Sequence, residues 1–338
     1  MVRPVLLIFK VSKAGWRTLL SMGTGMNKIL PGVCICLFFI AEGVFAETVH
    51  PENTLGLMAA ELPWLAQATQ ISTKLDHESG LRILPILGAG GVQALHDLAE
   101  LPNVDAAIVS SDTLAYATAQ KLLGTDENKF SYVARLGALD VVLVARRGIA
   151  NVTALAGKRI ATGPAQSAAF ATGEVVLGGL EIPFTRVPLQ GDAAIDALLN
   201  GKADAVLLLG TEVSTAAISD GRFHVLTLPL PPQLNSIYQP AIVTAHDLPG
   251  LIPQKETIET LAAALTLAVH DHARDAGHNM ALKNFETMLF KLNDENAGSN
   301  IAADIPGWKR HAAAQDILNQ ARAANADLSI ITPTGGKP

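Results

Sequence analysis

Gly88-Ala89-Gly90-Gly91-Val92-Gln93 sets three glycines between the apolar run "LRILPIL" and a segment of helical period. Such a junction is where backbone N–H groups cradle a dinucleotide phosphate, and Asp112 stands near where a ribose-binding acid belongs. The sixth position breaks the pattern, because Gln93 blocks the close helix-to-strand approach that a third glycine allows. Turning a strand into a helix would explain one glycine loop, but not several. Ala60–Trp64, Gly88–Gln93, Gly163–Ser167 and the pair Ser110-Ser111 all fall at the carboxyl ends of expected parallel strands. Open α/β sheets bind ligands at that edge, and free N–H groups at helix starts can hold a small carboxylate without lysine or arginine.

Other chemistry finds little support. The chain has no HExxH, G-x-S-x-G or P-loop pattern, and no base is marked beside Ser111 or Ser167. Glu61 and Asp112 are the acids an enzyme on this scaffold would use, yet carboxylates near helix starts serve as caps. The segment "HDHARDAGH" supplies His270, His272 and His278, but a helix would turn the first two to different sides, so a metal site is not expected. His50, His77, His96, His224, His246 and His311 are expected at the surface. The expectation is a protein without enzymatic activity, cofactor or metal.

The elements that must position these loops alternate between apolar runs and helical periods, the order of parallel sheets covered by helices. "TLGLMA", "LRILPIL" and "DAAIVSS" are predicted strands, with helices starting at Pro63, near Gly91 and near Asp112. A second round runs from "LAGKRIATG" through a helix opening near Ser167, a strand at "TRVPL", a helix capped by Asp192, and the strand "DAVLLLG". "NVDAAIVSS" and "KADAVLLLG" each put Asp-Ala at the head of an apolar strand after a helix, which predicts two lobes built on one plan. "YVARLGALDVVLVARR", Tyr132–Arg147, is expected to cross between lobes, and "FHVLTLPL" and "YQPAIVT" to carry the chain back. After Leu251 the spacing of Ile258, Leu261, Leu265 and Val269 predicts an amphipathic helix.

The 338 residues also carry an apparent export signal. Lys28 precedes the apolar run "ILPGVCICLFFI", and Val44 and Ala46 fit a cleavage pattern, so residues 1–46 are expected to be removed, with Met26 as the alternative start. An uncleaved anchor is the alternative, weakened by Pro31, Gly32, Glu42 and Gly43. Both cysteines, Cys34 and Cys36, lie in that leader, which excludes a disulfide scaffold, a thiol nucleophile and a zinc-thiolate site from the remainder. The leader contains five basic residues and one acidic one, leaving 20 basic against 30 acidic, a net of −10 that argues against nucleic acid or anionic lipid as partners.

"LRILPILGAGGVQ", "DAAIVSSDTLAY", "LAGKRIATGPAQS", "GKADAVLLLG" and "IPGWKRHAAAQDIL", in that order from about Thr54 to Leu318, resemble the TAXI family, the solute-binding proteins of tripartite ATP-independent periplasmic (TRAP) transporters. The resemblance implies an α/β, type II periplasmic binding protein-like fold. Residues 47–138 and 240–330 would form one lobe and residues 139–239 the other, with C-terminal helices packed on the lobes. It also implies a periplasmic, monomeric receptor that delivers a small organic solute, anionic or zwitterionic, to TRAP membrane permease subunits. A ligand sensor acting through a membrane partner is the alternative. The match retains Gly90, Gly91, Ser111, Asp112, Gly163, Pro164 and Ser167. It departs at "AAELPW", where Trp64 takes the aromatic place and Glu61 adds a negative charge, at Gln166-Ser167-Ala168-Ala169, at Thr211-Glu212 and at Gly137–Asp140. The implied ligand set is Trp64, Gly90, Gly91, Ser111, Asp112, Gln166, Ser167 and Thr211. The lost polar groups point to a different or more apolar solute than the family's carboxylates, with Trp64 packed on it and Ser111, Ser167 and backbone N–H groups at its polar end.

Overall fold

The computed structural model describes residues 53–210, 216–271, 276–294 and 301–331. The expected leader, residues 1–46, and Thr211 lie outside the described residues. The first round is β1 (Thr54–Ala59), α1 (Leu62–Ser79), β2 (Arg82–Leu87), α2 (Gly91–Glu100), β3 (Ala106–Ser110) and α3 (Asp112–Ala119). Pro63 sits in the first turn of α1, where its missing N–H costs nothing, and Gly80 ends that helix at φ +66°. After β4 (Phe130–Arg146) come β5 (Arg159–Ala161), α4 (Ala168–Gly179), β6 (Thr185–Val187), α5 (Gly191–Leu199) and β7 (Ala205–Leu209). The chain ends through β8 (Phe223–Leu226), β9 (Gln239–Thr244), β10 (Thr257–His270), α6 (Ala276–Asp294) and α7 (Ala312–Ile331).

One mixed sheet runs β2-β1-β3-β10-β4-β7-β5-β6, with β8 also on β4 and β9 on β10. The triplets β2-β1-β3 and β6-β5-β7 are parallel and share one strand order, and the antiparallel pair β10-β4 joins them. The repeat extends to single contacts. Asp105, heading β3, accepts the Gly56 N–H of β1 at 2.7 Å, and Asp204, heading β7, accepts the Arg159 N–H of β5 at 2.9 Å. Each Asp-Ala step thereby fixes the start of its strand against the first strand of its half. The two-lobed α/β plan expected from the sequence is the architecture observed.

The crossing strand is also as expected. β4 pairs with β10 through Asp140 and with β7 from Val141 onward, passing from one half to the other without a turn. One core fills the first half and reaches along β4 and α4. A second lies under α5 and β7, and Val243, Leu248, Leu251 and Ile252 of the returning segment pack into it.

Three expectations are corrected. The predicted helix through Ile258, Leu261, Leu265 and Val269 is the strand β10, paired with β3 on one side and β4 on the other. Every residue from Thr260 to His270 is buried, so the polar alternation that betrays a strand is missing and a run of alanines let the larger side chains mimic a helical spacing. Helix α5 is capped at Gln190 rather than Asp192, which lies in its first turn. His311 is partly buried rather than on the open surface: its Nδ1 lies 2.6 Å from Oε1 of the enclosed Glu286, and although burial lowers the imidazole, the carboxylates of Glu286 and Asp271 together raise it above its ordinary value. Among the described residues no helix is long and apolar enough to cross a membrane.

Candidate functional site

A cavity of about 620 Å³ opens between the two halves, within the range of small-molecule sites. Each wall comes from the carboxyl end of a strand or the start of the helix that follows. β1 leads to Glu61, Trp64 and Gln67 on α1, and β5 leads to Ala168 and Ala169 on α4. β6 leads to Gln190 and Gly191, and the end of β7 supplies Leu207–Gly210. Leu136–Leu139 of the crossing strand and Leu265 of β10 form the floor. The helix starts point here because parallel strands of both halves end here.

The lining is largely apolar. Among the described residues that form it, Glu61 is the one charged side chain; Gln67, Gln70 and Gln190 supply amides. Glu61 stands at the cap position of α1 but makes no side-chain bond to that helix. Its Oε1 instead accepts the backbone N–H of Ala168, the first residue of α4, at 2.7 Å, and its Oε2 accepts from the Gln190 amide at 3.4 Å. Burial raises its pKa above the usual carboxylate range, and the two hydrogen bonds oppose that rise. The Phe170 N–H, two residues further along α4, is satisfied internally: Ser167 Oγ accepts it at 3.1 Å and donates to the Pro164 carbonyl at 2.8 Å.

Seven of the eight sequence candidates lie among the described residues, and they fall in different places. Trp64 lines the cavity with its ring packed into the core. Gly90 and Gln166 meet across the halves: a Cβ on Gly90 would lie 2.4 Å from the Gln166 carbonyl oxygen, so only glycine permits this approach. Gly91 packs against Thr113 of α3, where an added Cβ would come within 2.7 Å of Oγ1. Ser167 lies beside the cavity as the cap of α4.

Ser111 and Asp112 are turned away from the cavity. Ser111 Oγ accepts the Ala264 N–H at 2.9 Å, its carbonyl accepts from Trp308 Nε1 at 2.7 Å, and it borders a separate cavity of about 370 Å³. Asp112 is wholly enclosed and accepts hydroxyl donors from Ser110 at 2.5 Å, Thr172 at 2.6 Å and Tyr238 at 2.7 Å. Burial raises its pKa in spite of those three bonds. It therefore ties α3 to α4 and to the segment before β9, and forms no acid–base pair with Glu61 in the cavity. The sequence reading missed Gln67, Gln190 and the end of β7 as walls. The repeated "ADAVLLLG" strand was the available signal for the last of these.

A family model described as the NMT1-like family matches residues 63–304. A search of curated proteins finds no match. Several solved structures are similar in fold. The GluR0 ligand-binding core from Nostoc punctiforme in complex with L-glutamate is 14% identical, covering 79% of this chain and 97% of that one, with a TM-score of 0.45. MatC from Rhodopseudomonas palustris with bound malate is 19% identical, covering 80% and 97%, with a TM-score of 0.44. The alkanesulfonate-binding protein SsuA from Xanthomonas axonopodis pv. citri bound to MOPS is 15% identical, covering 80% of each chain, with a TM-score of 0.42.

Proposed function

The chain belongs to the NMT1-like family, and from that premise we propose that it is an exported receptor that captures a small organic solute between its two halves and presents it to a membrane permease. One observation carries this reading: the apolar cavity of about 620 Å³ lies where helix starts and strand ends of both halves converge. Apolar lining with a few placed amides suits a compact solute with an apolar body and one hydrogen-bonding end. Trp64 packs against the body, while Gln67 and Gln190 face the polar end. Strands β4 and β10 are the hinge, with lobes divided near residues 139 and 240. Delivery to a permease of the TRAP kind rests on the order of the five motifs, and residence in the periplasm rests on the leader at residues 1–46.

The test is a thermal-shift screen of the purified protein against amino acids, mono- and dicarboxylates, small aromatic acids and their uncharged counterparts. A solute at a hundredfold excess over its Kd adds about 2.7 kcal/mol of stability. Gly137→Leu is the control: Gly137 lines the cavity, and an added Cβ finds no atom closer than Leu265 Cβ at 4.0 Å. The reading predicts a shift that the folded Gly137→Leu protein loses. Silence across the whole panel from folded wild-type protein would contradict it.

A further inference from the structure

We propose that Glu61 sets the charge specificity of the cleft: its carboxylate occupies the place at the start of α4 that a solute's acid would otherwise take, so the receptor admits solutes without a negative charge. The proposal rests on the receptor reading above and adds the class of solute.

A polar side chain at a helix cap position ordinarily accepts an N–H of its own first turn. Glu61 crosses the cleft instead, to an N–H group 107 residues away in the chain. That N–H belongs to the first residue of the equivalent helix in the other half, and the positive end of the helix favours an anion there. The carboxylate bonded at this point is the protein's own. Gln190, at the start of the neighbouring α5, donates to its other oxygen, and Ser167 takes the Phe170 N–H. Two of the N–H groups at the start of α4, those of Ala168 and Phe170, are thus occupied before any solute arrives.

A second carboxylate entering the cavity would meet like charge in a partly enclosed space. Among the described residues lining the cavity there is no lysine, arginine or histidine to offset it. An uncharged amide or alcohol meets no such penalty and can donate to the side-chain oxygens of Gln67 and Gln190, whose amide nitrogens already donate to the Leu136 carbonyl and to Glu61.

The experiment uses matched acids and amides: butyrate and butyramide, benzoate and benzamide, phenylacetate and phenylacetamide. Each is titrated by calorimetry into wild-type protein, Glu61→Ala and Glu61→Gln, with folding of each variant confirmed by its melting curve. Wild-type protein is expected to bind amides in preference to their acids. Glu61→Ala, which vacates the Ala168 N–H, is expected to gain at least tenfold in affinity for the acids. Glu61→Gln removes the charge but still fills the position, so its gain should be smaller. Acids that bind wild-type protein as tightly as their amides would overturn the proposal and leave the receptor reading standing. The same holds if acid affinity is unchanged in Glu61→Ala while the amides still bind. Absence of binding by every compound to all three folded proteins would overturn both.

Discussion

The carboxylate of Glu61 accepts the backbone N–H of Ala168 at 2.7 Å, joining the first helix of one half to the first helix of the other. Burial raises the pKa of that carboxyl, so the folded protein holds its proton more tightly than the unfolded chain does. Ionisation therefore costs stability, and the cost appears as pH rises from the ordinary glutamate value through the raised one. Glu61→Gln, neutral at every pH, should be at least as stable as wild type at pH 7, with the two converging in acid. Urea unfolding from pH 4 to 8 measures this. A variant less stable than wild type at pH 7, with the gap closing in acid, would show that the hydrogen bonds outweigh burial.

Asp112 collects three hydroxyl donors from separate segments in an enclosed site. Asp112→Ala strands all three and is expected to cost about 2–4 kcal/mol, with Tyr238→Phe costing about 1–2 kcal/mol. Equilibrium unfolding in urea gives both values. Losses under 0.5 kcal/mol for both would mean that water reaches the cluster.

Gly90 lets the α2 loop touch the Gln166 carbonyl. Gly90→Ala would put its Cβ 2.4 Å from that oxygen, at φ +115°, and should hold the halves apart. Solution X-ray scattering is expected to show a larger radius of gyration for this variant than for wild type. The control is Gly80→Ala, whose added Cβ strains the backbone at φ +66° but meets nothing within 4 Å. Equal radii for the two variants would argue against a steric wedge.

Trp64 borders the proposed solute cavity, whereas Trp308 borders the other one. A solute that shifts melting should also change tryptophan emission. That change should survive in Trp308→Phe and vanish in Trp64→Phe. The reverse pattern would place the solute beside Ser111.

Much of the fold is legible because punctuation and repetition act locally. Pro63 and Ser167 mark helix starts through backbone rules that need no tertiary context, and each falls where those rules place it. The Asp-Ala steps at Asp105 and Asp204 mark the repeat because each carboxylate has the same job in its half. β10 is not legible, since a central strand covered on both faces loses its alternation. Ser111 and Asp112 stand at a strand end in the sequence, but which way a strand-end side chain turns depends on Ala264, Thr172 and Tyr238, all far along the chain. The position of Glu61 is visible in the sequence; its partner, Ala168, is set only when the two halves come together.

The most direct test is a crystal structure of the protein grown with the solute that gives the largest thermal shift. Density for that solute is expected between Trp64 of α1, the start of α4 at Ala168 and Ala169, and Leu207–Gly210 at the end of β7. Density beside Ser111 and Trp308, with the interlobe cavity filled only by water, would contradict the account.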